Sequence, residues 1–544
     1  MRSARLPTLG LAAAVVIVIV GLVWERAPER PIPDAIQQAC GLPKPWLERI
    51  RRGYDAGRSG DIALLPDYPA YMMTGGGGWT HSGPWGYLQR VPLVFYGPGF
   101  IEQRQSVDRA VTVADIAPTL MAMMHSVLPS ADGNALSEAV LLNAARLRQE
   151  LPRLIVVVVW DGGGWNVLER WPDAWPNLKR WIEDGVSFTN ATVGSSPSVT
   201  PSVHTTIGTG VFPARHGITG ITVRNASGEV TDSFLKGESS GLIKVSTVAE
   251  RWDEHNRNSA RVGMVAYEPW HLGMIGRGAE DPSGDADDAA WLNPKTNEWV
   301  TDPDSYKLPP ALTDPESLAL ELQRLDGRDG KVDSAWGSHD ILDDPARIEE
   351  TPAFIRYHTD RMIEMIEQED YGNDGITDLL FTNYKQIDRV GHYFNMNSRE
   401  VRDSLEASDR ELARLETALN QVVGKSRWAV VLTADHGQQP DAKEVGGFAI
   451  DPRELRADIE REFGPIIRAL WPTEIFLDYT RLIENDVSIE DVARFVRGYE
   501  LAANTQRPDM LIRGSGSFGP DDRLFDLAIP SARLKGLTCG DPSV

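Results

Sequence analysis

The chain has 544 residues, of which 42% are hydrophobic and 24% charged, and its formal net charge is −23. This composition is typical of a globular protein, which excludes a disordered chain, and the length allows a large buried core. Proteins that bind nucleic-acid polymers cluster Lys and Arg to neutralise phosphates. This acidic chain has no such cluster, so no nucleic-acid polymer is expected as a partner.

The first 24 residues have the pattern of a targeting segment. Arg2 and Arg5 precede an uncharged run from Leu6 to Trp24. At about 1.5 Å per residue in a helix, this run nearly crosses the ~30 Å hydrocarbon core of a bilayer. The basic flank favours an N-terminus inside the cell and export of the rest. We therefore expect a single-pass membrane anchor with the following chain outside the cytoplasm; the alternative is a cleaved signal peptide and a secreted protein.

Residues 25–38 are Pro-rich and polar, which predicts a linker before the folded part. The only two cysteines are Cys40 and Cys539, near opposite ends of the chain. In an exported protein an even pair suggests a disulfide, with two unrelated thiols as the alternative.

Strand and helix patterns alternate along the rest of the chain. Short apolar strands are predicted near residues 61–66 and 91–96, and a helix begins at about Pro118. Residues 154–160, LIVVVVW, are apolar at every position, as expected for a parallel strand covered on both faces. Strands at 377–384 and 428–434 follow, with a long amphipathic helix between them. This alternation predicts an α/β fold with a mainly parallel central sheet flanked by helices, and residues 222–345, rich in Asp, Pro and Trp, are predicted to form an inserted cap.

Acidic residues and histidines follow three of the predicted strands. Asp161 ends the first, Asp388 and His392 come after the second, and Asp435 and His436 end the third. Open α/β sheets place their sites at the carboxyl ends of strands, and carboxylate oxygen with imidazole nitrogen suits zinc or a similar divalent ion. Each residue alone could be a cap or turn residue, but together they predict a metal site.

A candidate nucleophile, Thr200, lies in the small, hydroxyl-rich stretch SSPSVTPSVHTT. A hydroxyl is a poor nucleophile at neutral pH, and coordination to a divalent cation lowers its pKa. On local sequence alone, a Ser/Thr-rich capping loop is the simpler interpretation.

The order of these motifs resembles the alkaline phosphatase superfamily, and within it the type I phosphodiesterase/nucleotide pyrophosphatase group. The sequence contains, in order, DGGGWN, T-x-x-x-H-x-T-x-x-T-G-x-x-P-x-x-H-G-I, D-x-x-x-H and ADHG. The resemblance implies two zinc ions about 4 Å apart, a spacing that clamps attacking and leaving oxygens. It gives one ion Asp161, Thr200, Asp435 and His436. The other ion takes Asp388, His392 and a third His that follows ADHG in the family.

No histidine occurs after His436, so the third ligand is missing from its usual place. Sequences of the family typically end with a Gly-rich loop that contains T-H-G, followed by VPLIFYGPGI and DIAPT. A similar segment occurs here at residues 61–124. The resemblance therefore implies a circular permutation. Residues 39–150 form the permuted C-terminal part of the catalytic domain, residues 151–544 form its main part, and His81 is the missing ligand. The same rearrangement would bring Cys40 close to Cys539.

The family's mechanism implies attack of Thr200 on phosphorus, a phospho-threonine intermediate and its hydrolysis, with a small phosphoester as substrate. Two family features are absent. Ile221 stands where phosphodiesterases carry an Asn, with Asn225 nearby as a substitute, and the stretch from Glu268 lacks a monoesterase Lys-x-Arg pair. Substrate contact is then predicted for Asn225, His271 and Arg277. A phosphomonoesterase and a catalytically inactive surface binding protein remain the alternatives.

Overall fold

The computed structural model describes residues 31–73, 78–101, 104–140, 151–234, 239–293, 296, 298–313, 316–345, 347–505 and 518–539. The predicted membrane segment 1–24 and the first part of the linker lie outside these residues. Within the described ranges, none of the helices combines the length and the apolar character needed to cross a bilayer. The first described helix begins at Ala35, inside the predicted linker.

The described strands are β1 Ile62–Pro66, β2 Tyr71–Met72, β3 Leu93–Tyr96, β4 Gln105–Val107, β5 Val111–Thr112, β6 Leu154–Trp160, β7 Val186–Phe188, β8 Ala191–Thr192, β9 Thr222–Arg224, β10 Val230–Asp232, β11 Val262–Ala266, β12 Asp287–Asn293, β13 Glu298–Val300, β14 Tyr306–Lys307, β15 Ala335–Trp336, β16 His339–Asp340, β17 Asp378–Tyr384, β18 Trp428–Thr433, β19 Ala449–Ile450, β20 Ile467–Trp471, β21 Glu474–Leu477 and β22 Phe525–Pro530.

The described α-helices are α1 Ala35–Gly41, α2 Lys44–Gly53, α3 Gly86–Gln89, α4 Ile116–Met123, α5 Trp165–Arg170, α6 Pro176–Asp184, α7 Thr200–Thr209, α8 Pro213–His216, α9 Val248–His255, α10 Glu316–Asp326, α11 Ala353–Gln368, α12 Gln386–Phe394, α13 Arg399–Leu419, α14 Ala442–Val445, α15 Pro452–Phe463, α16 Tyr479–Glu484 and α17 Ile489–Arg497.

The central sheet has the strand order β13-β12-β11-β17-β6-β18-β3-β7-β4, with β14 beside β12. The five strands from β12 to β18 are parallel to one another, whereas β13 and β3 run antiparallel to their neighbours. Helices pack on the sheet, so the predicted α/β fold with a mainly parallel sheet is confirmed. Strand β3 from the N-terminal part pairs with β18 from the C-terminal part, which places both parts of the sequence in one sheet.

Strand β6 shows why a central strand is apolar at consecutive positions. Its odd-numbered residues, from Ile155 to Val159, pack into one hydrophobic core. Its even-numbered residues, from Val156 to Trp160, pack into the core on the other face. Side chains alternate between the faces of a sheet, so a strand covered on both faces needs an apolar residue at every position.

Residues 222–345 differ from the predicted inserted cap. Strands β11 and β12 extend the parallel part of the central sheet, and β13 forms its edge. Strand β11 is only five residues long and contains Gly263, so its sequence signal is weaker than that of β6. The segment therefore contributes to the main domain as well as to its surface.

A second, antiparallel sheet has the order β20-β21-β1-β22 and joins the two ends of the described chain. Strand β1 pairs with β21 on one side and with β22 on the other. Helix α1 lies against β22, where the Gln38 side chain donates to the Phe525 carbonyl at 2.9 Å and accepts from the Ala528 N–H at 3.1 Å. The predicted Cys40–Cys539 disulfide is confirmed, with the two Cα atoms 5.4 Å apart.

Candidate metal centre and active site

The predicted site residues gather at the carboxyl ends of β6, β17 and β18. Asp161 follows β6, Asp388 lies in the first turn of α12 after β17, and Asp435 follows β18. Gly162 turns the chain after Asp161 with a φ of +69°, and an added Cβ there would lie 3.0 Å from the Asp388 Cα. Glycine therefore permits both the left-handed turn and the close approach of α12.

The first ligand group consists of His81, Asp388 and His392. His81 Nε2 lies 3.5 Å from Asp388 Oδ1, and His392 Nε2 lies 3.3 Å from Asp388 Oδ2. Asp388 and His392 are four residues apart on α12, which puts them on one face of the helix. His81 Nδ1 donates to the Ser198 carbonyl at 2.9 Å, and His392 Nδ1 donates to the carbonyl of Trp79.

The second ligand group consists of Asp161, Asp435 and His436. His436 Nε2 lies 3.4 Å from Asp161 Oδ1 and 3.3 Å from Asp435 Oδ2. His436 Nδ1 donates to the carbonyl of Gly437 at 2.9 Å. The imidazole of His81 stacks on that of His436 with 3.5 Å between ring centroids, so the two groups adjoin.

The three imidazoles share one orientation that suits metal binding. A carbonyl oxygen can only accept, so Nδ1 of His81, His392 and His436 must carry the proton in each of these hydrogen bonds. In the neutral ring this leaves the Nε2 lone pair free, and each Nε2 faces the carboxylates of its group. Fixing the tautomer through the other ring nitrogen is the usual arrangement of a metal-bound His.

The electrostatics of the two groups differ. Burial and the neighbouring His436 lower the pKa of His81 well below its ordinary value, which keeps the imidazole neutral. Burial alone would lower the pKa of His436, but Asp435 and Asp161 raise it to about 9. The two imidazoles are therefore held in different charge environments.

The donor atoms of the second group fit a divalent cation. Within the described part of the chain, Asp435 Oδ2 and His436 Nε2 are buried and have no hydrogen-bond partner. Leaving such atoms unpaired is costly, and a bound cation removes that cost. In each of the two groups the ligand atoms lie within 4.8 Å of one another, and carboxylate plus imidazole is a zinc-binding set.

Thr200 lies at the junction of the two groups. It is the first residue of α7, a ten-residue helix, and the N-terminus of a helix favours negative charge. Its side chain is buried, with Oγ1 3.5 Å from Asp161 Oδ2. The hydroxyl is therefore held next to a carboxylate that belongs to the second ligand group.

Sequence reasoning missed Lys385. This residue ends the loop between β17 and α12, and its Nζ contacts Asp161, Thr200 and Asp388 at 2.9–3.0 Å. Burial alone would lower its pKa, but Asp161 and Asp388 hold it well above the ordinary value. The sequence feature that could have indicated Lys385 is its position three residues, or about one helical turn, before Asp388. A search limited to carboxylates and imidazoles does not consider lysine.

The model of the type I phosphodiesterase/nucleotide pyrophosphatase family matches residues 155–499, more than half of the chain. The chain belongs to this family. Its members hydrolyse phosphoric esters, and the protein is accordingly a phosphoric ester hydrolase.

One relative of this phosphodiesterase family member is alkaline phosphatase PafA of Elizabethkingia meningoseptica. The two sequences are 27% identical over 434 residues, which cover 70% of this chain and 77% of PafA. A protein named calcium-transporting ATPase from Myroides odoratus is 25% identical over 403 residues, 63% of this chain and 72% of that protein. A crystal structure of a PafA variant superposes with a TM-score of 0.54 at 24% identity, covering 63% of this chain and 76% of that chain. That likeness confirms the alkaline phosphatase-like fold.

In this phosphodiesterase family member, two predicted substrate contacts lie away from the centre. Asn225 holds the turn of the β9–β10 hairpin, where its Oδ1 accepts from the Glu229 N–H at 3.0 Å. Arg277 is bound to Glu250 and Asp281, with its Nε 2.9 Å from Glu250 Oε1. Both side chains are thus engaged in local contacts, and substrate contact by either one stays a prediction.

His271, the third predicted substrate contact, is fully buried against His204. Its Nδ1 lies 3.0 Å from Nδ1 of His204, whose Nε2 lies 3.4 Å from Asp435 Oδ2. The ligand atoms of Asp161, His204 and His271 lie within 4.8 Å of one another. His271 therefore contacts the second ligand group through His204.

A cavity of about 720 Å³ opens in front of Thr200. Strands β20 and β21 and the start of α15 line the cavity together with residues of the first ligand group. The lining of the cavity as a whole combines aromatic and charged side chains: Trp79, Trp270, Tyr393, Trp471, Arg389, Arg453, Arg456, Glu268 and Glu474. The cavity is large enough for a phosphoester with a sizeable organic group.

Proposed function

We propose that the protein is a two-metal phosphodiesterase of the nucleotide pyrophosphatase type that forms a phospho-threonine at Thr200. The observation that carries the proposal is the convergence of three imidazole Nε2 atoms and three carboxylates beside one buried hydroxyl. Asp161, Thr200, Asp435 and His436 would hold one divalent cation, and Asp388, His392 and His81 the other. Zinc is the ion that this donor set favours.

Divalent cations at these positions would lower the pKa of the Thr200 hydroxyl and neutralise phosphoryl oxygens. The chain positions the reacting atoms. Thr200 Oγ1 attacks phosphorus, its proton passes to water, the bond from phosphorus to the leaving oxygen breaks, and the alcohol departs with a proton from water. A second water then attacks phosphorus, the bond to Thr200 breaks, and the hydroxyl is restored. Most of the rate gain in such a site comes from positioning and charge neutralisation.

Glu268 supports a diester rather than a monoester as substrate. Its side chain lines the cavity beside Trp270, and in the described part of the chain its Oε2 has no hydrogen-bond partner. Burial raises its pKa, an effect opposed by Lys385 and Arg389. When ionised, this carboxylate disfavours the second negative charge of a phosphomonoester, whereas a diester carries one.

A phosphomonoesterase is the second candidate, because the relative PafA is named an alkaline phosphatase. The two functions are separated by comparing kcat/KM on bis-p-nitrophenyl phosphate and p-nitrophenyl phosphate with zinc present. The proposal predicts preference for the diester, and Glu268→Gln should raise the relative rate on the monoester about tenfold. Equal or better hydrolysis of the monoester by the unaltered protein would select the second candidate.

The intermediate has its own test. Acid quench during turnover, followed by peptide mass spectrometry, should find phosphate on Thr200, and Thr200→Ala should abolish hydrolysis of both esters. Thr206→Ala serves as the control, since the Thr206 hydroxyl contacts His216 and lies outside both ligand groups. Full activity in Thr200→Ala would refute the nucleophile assignment.

Two further predictions concern the whole chain. We propose that residues 1–24 anchor the protein in the cell membrane with the catalytic domain outside the cytoplasm. We also propose that the sequence order arose by circular permutation, which is consistent with the pairing of β3 with β18 and of β1 with β22. Protease accessibility in intact cells would test the first.

A further inference from the structure

The ammonium of Lys385 bridges the two ligand groups. Its Nζ lies 3.0 Å from Asp161 Oδ1, which belongs to the second group, and 2.9 Å from Asp388 Oδ2, which belongs to the first. It also lies 3.0 Å from Thr200 Oγ1. The side chain is 4% exposed, so the contacts are not those of a freely rotating surface lysine.

The chemistry of an ammonium group fixes the direction of these contacts. A lysine has three N–H donors and no acceptor, and here three oxygen atoms surround the nitrogen. Lys385 must therefore donate to Thr200 Oγ1. The proton of the Thr200 hydroxyl then points elsewhere, and Asp161 Oδ2 lies 3.5 Å away. The oxygen that would attack phosphorus thus already faces a positive charge before substrate binds.

We propose that Lys385 is a catalytic residue whose ammonium stabilises negative charge on Thr200 Oγ1. This rests on the proposed function. In the first step Lys385 stabilises the oxygen as it loses its proton to water and bonds to phosphorus. In the second step the same oxygen leaves phosphorus and takes a proton from water, and Lys385 again stabilises its charge. Lys385 keeps its own protons throughout.

The competing explanation is a purely structural one, in which Lys385 only holds Asp161 and Asp388 together. The two explanations predict opposite effects on metal binding. If the ammonium is a separate catalytic charge, removing it takes away a cation beside the ligand carboxylates, so metal affinity stays equal or increases. If Lys385 is needed to assemble the carboxylates, removing it weakens metal binding and lowers activity in proportion.

The test uses Lys385→Ala in the full chain, with Lys307→Ala as a matched control. Lys307 also lies between two carboxylates, at 3.5 Å from both Asp288 and Glu369, but outside the centre. Zinc affinity is measured by competition with a chelator, and formation of phospho-Thr200 by rapid quench. We expect zinc binding at least as tight as in the unaltered protein and phosphorylation at least 100-fold slower, since loss of one donor to a developing oxyanion costs about 10²–10³ in rate.

Rescue by a small amine adds a result that a structural role would not give. Lys385 lines the cavity, so ethylammonium can reach the space left by its side chain. We expect ethylammonium to restore phosphorylation in Lys385→Ala at least tenfold and to leave Lys307→Ala unchanged. Lys385→Arg, which keeps the charge, should retain more activity than Lys385→Ala and covers the case in which the alanine variant does not fold.

Three outcomes would overturn the catalytic role of Lys385. Lys385→Ala could form phospho-Thr200 at an unchanged rate per bound zinc, or it could lose zinc and activity in proportion. The third outcome is a folded, zinc-loaded Lys385→Ala variant whose phosphorylation is not restored by ethylammonium. These outcomes differ from failure of the proposed function. In that case the unaltered protein itself would hydrolyse neither ester and would carry no phosphate on Thr200.

Discussion

Replacing His81 with alanine tests whether a residue from the N-terminal part of the chain completes the centre. His81 contributes one of three donors in its group, with Nε2 3.5 Å from Asp388 Oδ1. Removing even the outer hydrogen-bond partner of a metal ligand weakens binding roughly 10–100-fold. Loss of the ligand itself should therefore cost at least about 100-fold in affinity, or about 2.7 kcal/mol at ~1.36 kcal/mol per tenfold.

The cost of this change to folding should be much smaller than its cost to metal binding. The Ser198 carbonyl loses one hydrogen bond, worth about 1 kcal/mol net, and water from the cavity can replace it. Unfolding entropy of ~2.1 cal/mol/K per residue means that a chain of this size loses only about 1 °C of Tm per kcal/mol. We expect the metal-free variant to have a Tm within about 2 °C of the metal-free unaltered protein, since weaker zinc binding lowers the Tm of the loaded variant further.

The assay measures zinc per chain by mass spectrometry after dialysis, and kcat/KM on bis-p-nitrophenyl phosphate. We expect zinc to fall from about two to about one per chain and kcat/KM to fall at least 100-fold. His339→Ala is the control, because His339 forms a similar pair with Glu400 at 2.8 Å outside the centre. Retention of two zinc ions and most of the activity in His81→Ala would refute the assembly of the first ligand group.

Two further predictions concern stability. Cys40→Ser with Cys539→Ser should lower the free energy of unfolding by about 2–5 kcal/mol, since the bridge closes a very long loop; the Tm should fall by several degrees with activity retained, and an unchanged Tm would contradict this. Burial raises the pKa of Glu474 to about 8, so the folded state holds a proton that the unfolded state loses above about 4.5. Stability should therefore fall by a few kcal/mol as the pH rises from about 4.5 to 8. Glu474→Gln keeps the acceptor for the Gly60 N–H and should reduce this dependence in Tm measurements at pH 5 and pH 9; equal slopes would refute the assignment.

The parts of the fold that the sequence predicted were those with strong periodic signals. Strand β6 is apolar at all seven positions, which predicts a central strand buried on both faces, whereas its neighbours β17 and β18 are known only from the structure. The short strands β11 and β12 were assigned to a cap, because five or seven residues that include Gly263 or Asp288 do not show the same continuous apolar run. Pairing of β11 with β17 and of β12 with β11 decides their place, and pairing is a tertiary property.

The candidate site could be predicted only where the residue type itself indicates the chemistry. Carboxylates and imidazoles after strand ends pointed to a metal site, and the resemblance divided its ligands between two ions and added His81. Asn225 was predicted as a substrate contact because it is close in sequence to the motifs. In the structure its side chain accepts a hydrogen bond within the turn of the β9–β10 hairpin. Residue type alone cannot tell a lysine that faces solvent from one enclosed by carboxylates.

Lys385 shows how much of a site depends on its surroundings. A lysine is seldom buried unless it is paired, so the default expectation for position 385 is a solvated side chain. Three oxygens from residues 161, 200 and 388 offset the cost of burying the charge, and they meet only after β6, α7 and β17 have assembled. Asp161→Asn removes one of those negative charges, so we expect it to change both the zinc content and the rate of phosphorylation. If both stayed unchanged, the proposal that Asp161 balances the charge of Lys385 and of the metal would be refuted.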